Sequence, residues 1–280
     1  MSMNARRVKI DTLKQCMIDL KPNRKENEVY INSDLDVTEL VRYIDECKKK
    51  RDSYTYFHAF LTTIGKVMHN CPFLNRYIVN RHMYENSEVL LSFAAKVSFD
   101  DNAGELMLVV PIEENDNIES ISRKTAEMVD KIRNAKEEKA GANSVADVLG
   151  KLPNLFRVPI LALIGFFGKH GMLPKSMTDN NIYFSSMIIS NLGSIGCGAI
   201  YHNLADFGTC SSLTTIGEIV NEKRIGDDGT EKLRKVCSFG ITIDERIADG
   251  FYFARSIQMI EYILQHPEML EEPAGKKITV

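Results

Sequence analysis

Apolar positions recur along this chain in two rhythms, and the alternation between them sets the expected elements. Over 39–51, Leu40, Val41, Ile44 and Cys47 fall at helical spacing behind Asp36 and Thr38, either of which suits an N-cap. The stretch 55–69 reads as a second, mostly buried helix that Asn70 and Pro72 end. A long amphipathic helix is expected over 118–138, with Ile118, Ile121, Ala126, Val129 and Ile132 on or near one side. The last helix, 251–265, turns Phe253, Ala254, Ile257, Ile260, Ile263 and Leu264 inward and stops at His266-Pro267. Between these lie strand-like runs at 29–31, 77–79, 89–99, 105–110, 182–189, 208–216 and 237–243. Residues 8–20 show a mixed pattern, and 21–28 read as a polar, Pro-containing loop. Strands and helices interleave throughout, so the expected class is α/β or α+β.

The segment 140–176 fits neither rhythm. Leu152-Pro153-Asn154-Leu155-Phe156-Arg157-Val158-Pro159 runs into the apolar stretch 160–167. Two prolines and Arg157 make it a poor transmembrane candidate. It is expected to form a buried hairpin of short helices inserted in the domain, with an interfacial membrane anchor as the alternative. No internal repeat or low-complexity segment is present.

Composition narrows the function classes. A chain of 280 residues, 44% hydrophobic and 26% charged, has the proportions of an ordinary globular protein. A net charge of -3 and the absence of Trp argue against nucleic acid as a partner. Cys16, Cys47, Cys71, Cys197, Cys210 and Cys237 include no C-x-x-C pair, which fits reduced thiols better than a disulfide frame or a zinc site, and no metal is implied. The N-terminus lacks the apolar run of a signal peptide, and a cytoplasmic location is expected. The run Lys48-Lys49-Lys50-Arg51 suits a coenzyme phosphate, but cations are favourable at a helix C-terminus in any case, and a solvated face is the preferred reading.

Candidate chemistry concentrates near the C-terminus, where the strand 241–243 breaks into Asp244-Glu245-Arg246-Ile247-Ala248-Asp249-Gly250. Four further motifs precede it in order: Asp36-Val37-Thr38-Glu39-Leu40-Val41, Cys71-Pro72-Phe73-Leu74-Asn75, Gly171-Met172-Leu173-Pro174 and Ile189-Ser190-Asn191-Leu192-Gly193-Ser194-Ile195-Gly196. Together they resemble the catalytic domain of the dihydrolipoyl acyltransferases, the 2-oxo acid dehydrogenase acyltransferase family of the chloramphenicol acetyltransferase-like superfamily. That family writes Asp-His-Arg-x-x-Asp-Gly at the turn, and its histidine is the general base; here that position is Glu245.

The resemblance implies a single catalytic domain over 1–280, a two-layer sandwich of mixed sheet with helices on one side, and a homotrimer with active sites between subunits. It implies an acyl group moved from coenzyme A or a related thioester to an unidentified acceptor. Carried over, Ser190 is the hydroxyl that stabilises the oxyanion, Glu245 sits where the base belongs, and Asp249 holds the turn. A lipoyl domain and a subunit-binding domain, usual in a complete family member, are not expected here. Three roles are open to Glu245: weak base, partner for a cationic acceptor such as an amine, or structural cap. A non-catalytic relative that keeps the trimer as a binding or scaffold subunit is the alternative reading. His170 and His202, near the motif segments, are candidates for a displaced base, each weighed against an ordinary structural role.

Overall fold

The computed structural model describes residues 5–50, 54–96, 105–138, 149–226 and 229–279. Six strands form one mixed sheet in the order β2-β9-β8-β7-β5-β6, where β2 is Glu28–Asp36, β5 Val89–Lys96, β6 Glu105–Ile112, β7 Met187–Asn191, β8 Ser212–Ile225 and β9 Glu231–Asp244. Only β7 runs parallel to its neighbours β5 and β8; the other pairs are antiparallel. A small second sheet, β1-β4-β3, is made of Ala5–Arg7, His82–Asn86 and Arg76–Val79.

Helices α2 (Thr38–Lys49), α3 (Tyr56–Asn70), α4 (Ile118–Glu138) and the C-terminal helix, α6 (Gly250–Gln265), cover one face of the large sheet. The core between them follows from period: Phe239, Ile241 and Ile243 point to the helices from β9, and Leu40, Ile44, Leu61, Ile64, Ile121, Ile260 and Ile263 meet them. This is the two-layer mixed sandwich that the sequence led us to expect. The N-cap of α2 is Val37, which has no polar side chain to offer, and not Asp36 or Thr38; Asp36, one residue earlier, still accepts from Thr38 N through Oδ1 at 2.9 Å. Buried Lys66 of α3 donates to the Glu272 and Pro273 carbonyls at 2.9 and 2.8 Å, tying the C-terminal segment to the helical layer.

Several expectations need correction. The mixed stretch 8–20 contains a helix, α1 (Thr12–Leu20), which Asp11 caps by accepting from Lys14 N at 2.9 Å; only Ile18 is buried on it, so its apolar periodicity is faint. The strand expected over 182–189 begins at Met187, after a 3-10 turn at Ile182–Phe184. Strands β8 and β9 reach well beyond Ile216 and before Cys237 as a long hairpin whose outer half is largely exposed and charged, with only scattered apolar residues such as Ile225 and Leu233 and no alternation to announce it. Strand β4 was not foreseen. The last three positions of the strand expected over 89–99 lie outside the described residues, as do Arg51 and 140–148 of the inserted segment.

The largest correction concerns that segment. The expected burial is absent: among the described residues, 149–151 are helical and lead through a bend into α5 (Asn154–Lys169), which is followed by a single turn at Lys175–Thr178. Among the residues of α5 only Gly168 is buried. Its apolar side chains look outward because no element of the described structure packs over them.

Candidate functional site

The signature turn forms where β9 leaves the sheet. Asp244 ends the strand opposite Glu28 of β2 and is fully buried. Arg246 grips it in a fork, Nε donating to Oδ1 at 2.8 Å and Nη2 to Oδ2 at 2.6 Å, while Arg24 Nε stands 3.7 Å from Oδ2. Both arginines are buried. Charge removed from water persists when it is neutralised and hydrogen-bonded. The second positive charge is met by backbone: Arg24 donates to the Ala205, Phe207 and Gly208 carbonyls, and Arg246 to those of Lys21 and Pro22. Burial pulls the Arg24 pKa down and Asp244 opposes it. Three charges therefore knot the N-terminal segment, the loop before β8 and the end of β9 together.

Glu245 leaves this knot on its solvent side. Its N–H donates to the Asn27 carbonyl at 2.9 Å, and its side chain, 39% exposed, stands 3.8 Å from Lys21 Nζ. A pair so open to water contributes little to stability. Asp249 caps α6, its Oδ1 accepting from Tyr252 N at 2.8 Å. Glu245, Arg246 and Asp249 line a cavity of about 420 Å³ whose far wall is α1, through Leu13, Lys14 and Met17. Burial, and then the Arg76 charge, lower the Lys14 pKa.

Tyr252 joins a second motif to this corner. Its ring stacks on Phe73 at 4.5 Å and its hydroxyl accepts from Phe73 N at 3.1 Å, while Arg76 sits over the other partner's ring, 3.2 Å from the Phe73 centroid. Burial pushes the Tyr252 hydroxyl up to about 12. The Cys71–Asn75 motif thus braces the start of α6 and takes no part in lining the cavity.

Ser190 lies on β7 opposite Thr215 of β8, which in turn faces Gly240 of β9. Because Ile189 enters the helical core, Ser190 points to the other face of the sheet, half-buried, with no hydrogen-bond partner among the described residues. The segment after the Asn191–Gly196 turn covers that face: Ile200 N donates to Thr215 Oγ1 at 3.1 Å and Ala199 N to Ser238 Oγ at 3.3 Å. Two glycines make this possible. Gly196 takes a left-handed conformation at φ 69°, and a side chain at Gly193 would strike the Gly217 carbonyl.

The structure does not bring Ser190 and Glu245 together within one chain. Two strand spacings (about 10 Å) and five residues along β9 (about 17 Å) put them roughly 19 Å apart. Neither candidate histidine lines the Glu245 cavity. His170 is bonded through Nδ1 to Asn80 and packs on Phe166, beside a different cavity of about 450 Å³ that Arg24, Arg81, Lys169 and Arg246 also line. His202 is exposed on the covering segment. Of Lys48–Arg51, Lys48 pairs with Asp45 and lies over the Tyr56 ring, as a helix C-terminal cation would.

Sequence reasoning missed Arg24 and the Asp244–Arg246 fork. The fork has a local signal, two opposite charges two residues apart at a strand end; Arg24, in a polar loop, has none.

No curated protein matches the chain. The sequence model of the family described as 2-oxoacid dehydrogenases acyltransferase (catalytic domain) matches residues 4–155 and 173–271. Among solved structures, the dihydrolipoamide acetyltransferase of Azotobacter vinelandii, studied for the catalytic roles of a serine, a histidine and an asparagine, is 15% identical with a TM-score of 0.61, over 94% of this chain and 93% of that one. The cubic core of a pyruvate dehydrogenase multienzyme complex is 16% identical, TM-score 0.59, over 94% and 93%. A chloramphenicol acetyltransferase is 10% identical, TM-score 0.57, over 93% and 99%. The three share the fold with this protein. On the extent of the family match, which takes in both the Ser190 strand and the Asp244–Gly250 turn, the chain belongs to the 2-oxoacid dehydrogenase acyltransferase (catalytic domain) family.

Proposed function

We propose that this protein transfers an acyl group from a coenzyme A-type thioester to a small acceptor, at sites completed between copies of the chain. The observation that carries the reading is the state of Ser190: an unpartnered hydroxyl on the sheet face away from the core, inside the family's Ser-Asn-Leu-Gly strand. In the Azotobacter relative the histidine and asparagine of the catalytic set stand four residues apart, the spacing of Glu245 and Asp249 here. The cavity beside Glu245, about 420 Å³, is of the size that takes a small ligand.

In this reading Glu245 takes the proton of the acceptor's nucleophile as it attacks the thioester carbonyl. Ser190 donates a hydrogen bond to the oxyanion, and collapse expels coenzyme A as a thiolate that recovers the proton from Glu245. Asp249 holds the turn by capping α6. The substitution has a calculable cost for a thiol acceptor: a thiol near pKa 8.5 lies about 4 units above a carboxylate and about 2 above an imidazole, a difference of roughly 3 kcal/mol, or about a hundredfold in rate. That figure weighs against a thiol acceptor; it does not apply to an amine that attacks as the free base, which loses its proton only after the attack.

The separation of roughly 19 Å between Ser190 and Glu245 calls for a second copy to close the site. A homotrimer or a multiple of it is our proposal for the assembly, in keeping with the relative that forms a cubic core.

The test is acyl transfer from a panel of acyl-CoA donors to thiol and amine acceptors. Ser190→Ala is expected to lower kcat about a hundredfold or more, and Glu245→His to keep or raise activity with a thiol. Mixing Ser190→Ala and Glu245→Gln copies should restore part of the activity. Turnover by neither wild type nor variants, with acyl-CoA still bound in calorimetry, would favour the non-catalytic reading, which the weak Glu245–Lys21 pair in the base's place also suits.

A further inference from the structure

Helix α5 differs from the rest of the molecule in three respects. It lies almost wholly outside the family match, which skips 156–172. It is also apolar on every side. Leu161 and Leu163, 47% and 55% exposed, are two residues apart, about 200° around the axis, so they leave the helix on opposite sides, and exposed Val158, Ile160 and Phe166 occupy the directions between them. A helix that lies on a protein body or zips to a partner helix hides one apolar stripe and presents polar residues elsewhere. Among the described residues, its named contacts with the body lie at the C-terminal end, where Gly168 fits against Phe207 and Leu173 and Lys169 donates to Asn23 Oδ1.

The third respect is charge. No Asp or Glu occurs over 148–178, in a chain whose net charge is negative, yet Lys151, Arg157, Lys169 and Lys175 do occur. Arg157 hydrogen-bonds the Gly150 carbonyl and Asn154 Oδ1, and Lys169 the Asn23 amide oxygen, so both bond neutral oxygens. A helix apolar all round is at home in a medium that surrounds it. At about 1.5 Å per residue its 16 residues reach about 24 Å, short of the roughly 30 Å of a bilayer's hydrocarbon core. Among the described residues no helix is long and apolar enough to cross a membrane.

We propose that α5 docks this protein on an anionic lipid bilayer, entering one leaflet with its leucines and phenylalanines while Arg157, Lys169 and Lys175 reach the head-group phosphates. A second copy of the chain suits the helix less well: like cations would be brought together, and one seam would leave the opposite side wet. The docking does not rest on the acyl-transfer reading, and its test needs no activity.

The full-length protein is sedimented with vesicles of phosphatidylcholine mixed with phosphatidylglycerol, and with phosphatidylcholine alone. Strong recovery with the mixed vesicles and weak recovery with the neutral ones is expected. A Leu161→Ser, Leu163→Ser, Phe166→Ser variant should lose binding. A Lys169→Glu, Lys175→Glu variant, which keeps the apolar surface, should weaken it roughly tenfold or more. Failure of the wild type to bind either vesicle, or binding that both variants retain, would overturn the proposal. So would a lipid-free assembly that the serine variant breaks into smaller species, because a second copy would then be the cover.

Discussion

The corner around Asp244 and the helix α5 both break the rule that apolar groups go inside and charges outside, in opposite senses. At the corner a carboxylate and two guanidiniums are buried, and nearly all of their donors and acceptors are answered within the chain, Arg24 Nε being the atom left without a hydrogen bond. On α5 leucines and phenylalanines face outward, and nothing in the described structure answers them. Burying charge is costly and is tolerated only where it organises something; here it fixes the turn that presents Glu245. Exposed apolar surface on this scale points to a partner outside the chain. One exception to the rule is thus resolved by internal partners, the other by external ones.

The sharpest way to break the corner is Asp244→Asn, which leaves Arg24 and Arg246 buried without a counter-charge. Removal of one partner from such a set costs about 3–5 kcal/mol. Chemical denaturation should show a loss of that order, with the Glu245 turn loosened even where the sheet survives. Combining it with Arg24→Met should recover part of the loss, because one orphaned charge goes with it. A loss below about 1 kcal/mol for the single variant would mean that water reaches the corner and that the knot does not hold the turn.

A milder break sits on the Ser190 face. A side chain at Gly240 would meet the Ile200 carbonyl and stand 2.8 Å from Thr215 Oγ1, so Gly240→Ala should push the covering segment off the sheet. About 1–3 kcal/mol is expected from overpacking of this kind. In the proposed enzyme, kcat should fall with it, since Ser190 lies on that face two strands away. Unchanged stability would show that the segment 197–204 is free to shift.

How much of this was legible beforehand follows the range of the interactions. The sheet, its covering helices and the Asn191–Gly196 turn depend on periodicity and on glycines that local geometry demands, and these stand close to where the sequence put them. Ser190, Glu245 and Asp249 were singled out by motif order, and the cap role of Asp249 by its place before α6. Arg24 reaches Asp244 across 220 positions of chain, and no local pattern announces such a pairing. Helix α5 failed differently. A short apolar run carries no mark that separates a buried helix from one whose partner is another phase; only the fold reveals that no described element covers it.

The smallest expected effect sharpens the comparison from the other side. Leu155 on α5 is 78% exposed, whereas Leu61 on α3 is fully buried in the core. Replacement of Leu61 by Ala should cost about 2–5 kcal/mol, because transfer and cavity losses add. Leu155→Ser removes side chain that already faces water, so only helix propensity and minor contacts are lost, and the change should stay within about 0.5 kcal/mol in thermal or chemical unfolding of the lipid-free protein. The direction is informative as well: vesicles that stabilise the wild type by binding its folded form should stabilise Leu155→Ser less. A loss of several kcal/mol without lipid would instead mean that α5 is packed in solution against this chain or another copy, and the contrast between the two regions would dissolve.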